Sequence, residues 1–172
     1  IERRPALQTN KCLRIIGNSL TIILTQMCNL GCTYCYAQKQ HSTECLDRAK
    51  IKISIDYYVA NSIDKKNKRI VFIGGGEPTI AWGAFEYAIE YIRGTYDNLN
   101  IACSLITNGT LLTTEKLEFL KKHRIKVVFS FDILPEIQNN QRGLLGGHPT
   151  FNLIDKNIKK AYDIGVDVVG IR

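Results

Sequence analysis

The sequence predicts an α/β protein built on a parallel sheet. Short β-branched, apolar runs alternate with amphipathic helical segments along most of the chain, and no two strands are joined by a hairpin signal. Each unusual motif also falls at the C-terminal end of a strand, where parallel α/β folds gather their chemistry. Strands this apolar call for cover on both faces, as in a barrel or a doubly wound sheet.

Taken in order, residues 20–25 form the first strand, and a cysteine-rich loop follows it. Ser54 is placed to N-cap a helix that carries Tyr58, Val59 and Ile63. Residues 69–73 are the second strand, stopped by Gly74-Gly75-Gly76. A helix over 81–96 repeats Phe85, Ala88, Ile89 and Ile92 at helical spacing. Residues 101–106 are the third strand, with Thr107-Asn108-Gly109 as its turn, and Thr113 or Thr114 caps the next helix. The fourth strand is 126–131, and a long loop covers 132–150. The helix after it carries Phe151, Ile154, Ile158 and Ala161 and ends at Gly165. Residues 166–171 are a fifth strand.

The 172 residues suit one domain with a sizeable core, and 45% hydrophobic with 23% charged composition excludes a disordered chain. Residues 1–19 read as a lead-in segment and 20–172 as the core domain. The longest apolar run, around Ile22-Ile23-Leu24, is too short to span a bilayer. The start is polar and basic, without the apolar stretch of a secretory signal, and lacks Met, as an excerpt of a longer protein would. The net charge of +7 concentrates in 65–69 and 121–126. Both runs read as solvated helix ends, where cations favour the helix dipole, and neither interleaves with aromatics as a single-strand nucleic-acid binder would.

Three of the six cysteines lie in Cys28-Asn29-Leu30-Gly31-Cys32-Thr33-Tyr34-Cys35, a C-x₃-C-x₂-C loop. Their crowding, in a chain too large to need staples, points to thiolate ligands in a reduced, cytoplasmic protein. A closed zinc site wants a fourth ligand, which His41 or Cys45 could supply. A [4Fe–4S] cluster held by three cysteines leaves one iron open. Cys12, Cys45 and Cys103 read as bystanders, with Cys103 in the core.

The cysteine loop, with Tyr34 before its last cysteine, resembles the signature of the radical S-adenosylmethionine (radical SAM) superfamily. Gly75-Gly76-Glu77-Pro78 resembles that family's GGEP motif. Thr107-Asn108-Gly109-Thr110-Leu111-Leu112 is similar to a stretch of its peptide and protein maturases, the anaerobic sulfatase-maturing enzymes and their SPASM or twitch relatives included. The resemblance implies a partial (β/α)6 TIM-like barrel, of which about five strands are present, and two cofactors, a [4Fe–4S] cluster and S-adenosyl-L-methionine. It places Cys28, Cys32 and Cys35 on three irons, with the cofactor's amino and carboxylate groups on the fourth. One-electron reduction then yields a 5′-deoxyadenosyl radical that abstracts a substrate hydrogen.

By the same resemblance, Gly75, Gly76, Glu77 and Pro78 hold the cofactor's amino group. Ser130 reaches its ribose and Asp132 supports that region. Arg142 pairs with its carboxylate, a match to the guanidinium fork. Tyr34 and Tyr36 lie against its adenine, and Asn108 lines the cavity. The implied substrate is a peptide or protein side chain, and the implied partner a flavodoxin- or ferredoxin-type reductant. The other readings are a radical SAM enzyme acting on a nucleotide, a tRNA or a glycyl-radical enzyme, and a basic zinc module that contacts nucleic acid. Two departures stand out. Ser130-Phe131-Asp132-Ile133 lacks the glycine that maturases carry there, and no cysteine follows Cys103 to hold auxiliary clusters.

Overall fold

The computed structural model describes residues 18–37, 42–64 and 67–172. Five strands form one sheet in the order β1-β2-β3-β4-β5: β1 Ser19–Ile22, β2 Asn67–Phe72, β3 Asn100–Thr107, β4 Lys126–Phe129 and β5 Val168–Ile171. Every neighbouring pair is parallel. The strand order never reverses, so each crossover steps the sheet in one direction. A doubly wound sheet reverses at a switch point. The structure therefore selects the partial-barrel alternative.

Five α-helices connect the strands: α1 Arg48–Asn61, α2 Trp82–Thr95, α3 Thr114–Lys122, α4 Pro135–Gln141 and α5 Phe151–Ile164. Alternate strand residues Ile70, Phe72, Ile101, Cys103, Leu105, Val127 and Phe129 are fully buried. They join one core with Ile55, Phe85, Ile89, Leu117 and Ile154 from the helices. Phe85 sits edge-on to Phe72 at 4.9 Å and against Trp82 at 5.0 Å. Truncating it to alanine would cost about 3–5 kcal/mol, since the surrounding rings could not close the void. No helix among the described residues is long and apolar enough to cross a membrane.

The structure corrects three boundaries. Asp47 caps α1, its carboxylate accepting the Lys50 N–H at 2.8 Å, and Ser54 lies in mid-helix. Asp47 wins because a short carboxylate just before the helix reaches an otherwise unpaired N–H. β1 leaves the ladder after Ile22; Thr25 instead makes an isolated antiparallel bridge to Cys45. The stretch 132–150 is not all loop, because α4 occupies its first half. Pro135 opens α4 at a position where the missing N–H is harmless.

Two helices end on the same hydrogen-bond pattern. After α5, Val166 N–H donates to Ala161 O and Gly165 adopts φ 86°. After α3, Ile125 N–H donates to Leu120 O and Arg124 adopts φ 52°. Left-handed backbone suits glycine and disfavours a residue with a Cβ by roughly 1–2 kcal/mol.

Cys103 is 1% exposed, and burial pushes its thiol up to about 11, so it is an inert core residue. Cys45 is exposed and unpaired. Cys12 and His41 lie outside the described residues, as do Lys65 and Lys66 of the first basic run.

Candidate functional site

The loops after β1, β2, β3 and β4 meet at the C-terminal edge of the sheet around a cavity of about 190 Å³. Cys28, Cys32, Gly74, Gly76, Glu77, Asn108, Ser130 and Arg142 all reach its wall. Tyr36 reaches it too, although the residue is 88% exposed. Arg172, at the end of β5, is a further wall residue that sequence reasoning missed.

Backbone pairing builds the cysteine loop. Gly31 N–H donates to Gly143 O and Thr33 N–H to Gln141 O, both at 2.9 Å, while Leu145 N–H donates to Asn29 O at 3.0 Å. These bonds make a short antiparallel ladder between the cysteine loop and the segment after α4. Cys28, Cys32 and Cys35 are free and half-buried. Burial pushes the Cys28 and Cys32 thiols up, opposed at Cys28 by the Leu30 N–H and at Cys32 by the charge of Arg142. Among the described residues, no three His, Cys, Asp or Glu side chains already form a metal-holding group.

The glycine turn is pressed against the start of the cysteine loop. Gly76 N–H donates to Thr25 O and Glu77 N–H to Met27 O. A Cβ on Gly76 would stand 1.9 Å from Met27 O, so only glycine fits there. Glu77 is 3% exposed, and its carboxylate is fully engaged by the chain. Oε1 accepts from Thr79 N, Thr79 Oγ1 and Thr107 Oγ1, at 3.0, 2.5 and 2.6 Å. Oε2 accepts from Asn108 N at 2.7 Å. The glutamate thus ties the second-strand loop to the third-strand turn. Pro78 is buried and opens a 3-10 turn, Pro78–Ala81.

Asn108 extends this network into the cysteine loop. Its Nδ2 donates to Asn29 Oδ1 at 2.9 Å, its Oδ1 accepts from Thr110 N and Oγ1, and Asn29 Nδ2 donates to Thr110 Oγ1 at 2.7 Å. Asn29, Thr79 and Thr110 were not singled out in the sequence. The available signal was their polarity next to the Cys, GGEP and Thr-Asn-Gly motifs.

On the opposite wall, Arg142 Nε donates to Asp132 Oδ2 at 2.8 Å, and the guanidinium lies 5.3 Å from the Tyr34 ring centre. The sequence places Asp132 and Arg142 as separate ligands; the structure pairs them. Burial pushes the Tyr34 hydroxyl up, with Arg142 pulling the other way. Gln138 of α4, fully buried, fixes this wall by accepting from Asp132 N at 2.8 Å and donating to Thr150 Oγ1 at 2.8 Å. Ser130 is held by its N–H on Thr107 O.

The radical SAM superfamily model matches residues 22–172. A cysteine-type anaerobic sulfatase-maturating enzyme of Clostridium perfringens is 32% identical over 154 residues, covering 83% of this chain and 40% of its own. An uncharacterized protein of Methanocaldococcus jannaschii is 33% identical over 147 residues, covering 84% of this chain and 49% of its own. A solved structure, native anSMEcpe with bound AdoMet, superposes with a TM-score of 0.80 at 29% identity and covers 88% of this chain and 42% of the other. The chain spans about half or less of the length of these relatives.

The family's cofactors are a [4Fe–4S] cluster and S-adenosylmethionine. The residues present fit them: three free thiols on one loop, two of them on the cavity wall, which Gly74 and Gly76 of the glycine turn share. The chain belongs to the radical SAM superfamily.

Proposed function

We propose that this chain is the cofactor-binding part of a radical SAM enzyme that modifies a peptide or protein side chain, working in the reducing cytoplasm with a flavodoxin- or ferredoxin-type electron donor. The observation that carries the reading is the shared cavity of four strand-end loops, which brings Cys28 and Cys32 to the glycine turn, Asn108, Ser130 and Arg142. Likeness to a sulfatase maturase over 83% of the chain supports the peptide or protein substrate class.

When bound, the cluster and S-adenosylmethionine supply reductive cleavage and a hydrogen-abstracting radical. Cys28, Cys32 and Cys35 hold the iron. Gly75 and Gly76 offer backbone carbonyls to an ammonium, and Glu77 and Pro78 hold that turn in shape. Arg142 presents its free guanidinium N–H groups to a carboxylate while Asp132 fixes its orientation. Ser130 faces the ribose, Tyr34 offers a ring face to the adenine, and Asn108 spaces the cysteine loop from the third-strand turn.

Anaerobic reconstitution with iron and sulfide tests this directly. The wild type turns brown and releases 5′-deoxyadenosine from S-adenosylmethionine under dithionite. Cys28→Ala, Cys32→Ala and Cys35→Ala each lose the iron, while Cys103→Ala keeps it. A colourless wild type, or iron retained by the three variants, overturns the proposal.

A further inference from the structure

The second basic run finds a use that the cofactor site does not absorb. At the opposite end of the sheet, where β3 begins, Arg93 of α2 meets Lys122, His123 and Arg124 around a cavity of about 490 Å³. Asn100 and Ile101 complete its wall, and no carboxylate lines it. Arg93 is pinned in place, Nη1 donating to Ile101 O at 2.9 Å and Nη2 to His123 O at 3.0 Å. Its charge is therefore presented by a fixed guanidinium. Among the described residues, none of Arg93, Lys122 and Arg124 forms an ion pair. The charged neighbours felt by His123 are Lys122, Arg93 and Glu90 of α2, and its ring packs on Phe119 at 4.3 Å.

A second, independent observation concerns Arg124. It occupies the left-handed position that ends α3, the place filled by Gly165 at the end of α5 on the same hydrogen-bond pattern. Glycine would relieve the backbone, so the helix ending does not account for an arginine. What the arginine adds is a positive charge on a residue that lines the cavity. Three positively charged residues around one concave space match the charge of phosphate oxygens. The cavity is the size of a small-ligand site, and it offers no open aromatic platform on which bases of a polymer could stack.

We propose that the Arg93–Lys122–His123–Arg124 cavity binds a small anion carrying a phosphate or pyrophosphate group. This site is separate from the cofactor cavity and does not depend on the reading of that cavity.

Calorimetric titration of the full chain with pyrophosphate tests it. The wild type binds saturably at one site. Arg124→Gly weakens binding about tenfold while its thermal midpoint stays level or rises, and Lys122→Glu abolishes saturation. Arg48→Ala, which removes one positive charge elsewhere, leaves binding unchanged. The proposal is overturned by absence of saturation at millimolar pyrophosphate or by wild-type binding in Arg124→Gly. Preference for an RNA oligonucleotide over pyrophosphate, with the steep salt dependence of a polymer, also overturns it.

Discussion

Asn108 donates to Asn29 across 79 residues of sequence, and this 2.9 Å bond, with the 2.7 Å bond from Asn29 to Thr110, couples the third-strand turn to the cysteine loop. Asn29→Ala would leave Asn108 Nδ2 and Thr110 Oγ1 each short of a partner beside the cavity. The expected loss is about 1–3 kcal/mol, seen as a lower urea midpoint. Iron retention after reconstitution should fall with it, because the loop bearing Cys28 loses its tie. Unchanged iron content and midpoint would remove Asn29 from any positioning role.

Glu77→Gln should be more damaging than its small change in shape suggests. An amide cannot accept at both ends, so an NH₂ group must face either the Asn108 N–H or the three donors on Oε1. A loss of about 2–3 kcal/mol follows from the unpaired buried donors. Denaturant unfolding reads it, and a variant within error of wild type would contradict the bracing role.

The glycines separate by surroundings. Gly76→Ala drives a Cβ into the Met27 carbonyl and should leave little folded, iron-binding protein. Gly83→Ala and Gly94→Ala lie in α2 with nothing within 4 Å of the new methyl. Each should raise stability by about 0.5–1 kcal/mol. Thermal melts of the three variants give the ranking.

Asp56 collects Tyr91 and Tyr96 hydroxyls at 2.5 and 2.7 Å and the Lys52 ammonium at 2.6 Å. Burial raises its carboxyl, but these three donors outweigh that and hold it below the ordinary 3.8. A depressed folded value means the stabilisation is complete above the ordinary carboxylate range and is lost as pH falls through the folded value. Asp56→Asn should therefore cost about 1 kcal/mol near neutrality, after allowance for solvent screening. The gap to wild type should close below pH 3.8. A gap that persists in acid would show that packing, not charge, is responsible.

The parallel sheet and the cysteine trio were legible because each leaves a local mark. β-branched apolar runs mark Ile70 to Phe72 and Ile101 to Leu105, and spacing marks the thiols. Residues 23–25 misled because burial and strand pairing differ: Leu24 is 1% exposed yet lies outside the β1–β2 ladder. Short, amide-rich α4 lacks a helical apolar stripe, and Pro135 and Glu136 were its start signals. The ladder between the cysteine loop and residues 141–145 was invisible, since backbone bonds between distant segments need no particular side chains. The pairing of Asp132 with Arg142 was hidden for a related reason: it depends on where α4 turns the chain.

That ladder also sets an order of events during synthesis. Gly31 and Gly143, joined at 2.9 Å, are about 110 residues apart. At ordinary translation speeds the cysteines leave the ribosome on the order of ten seconds before their clamp exists. In that interval the cysteine loop has its ties to the second- and third-strand turns but not this ladder. Iron delivered then meets a loop that lacks one of its braces, whereas iron delivered after α4 has formed meets the complete set. The chain's geometry therefore favours loading metal late, once the clamping segment has emerged.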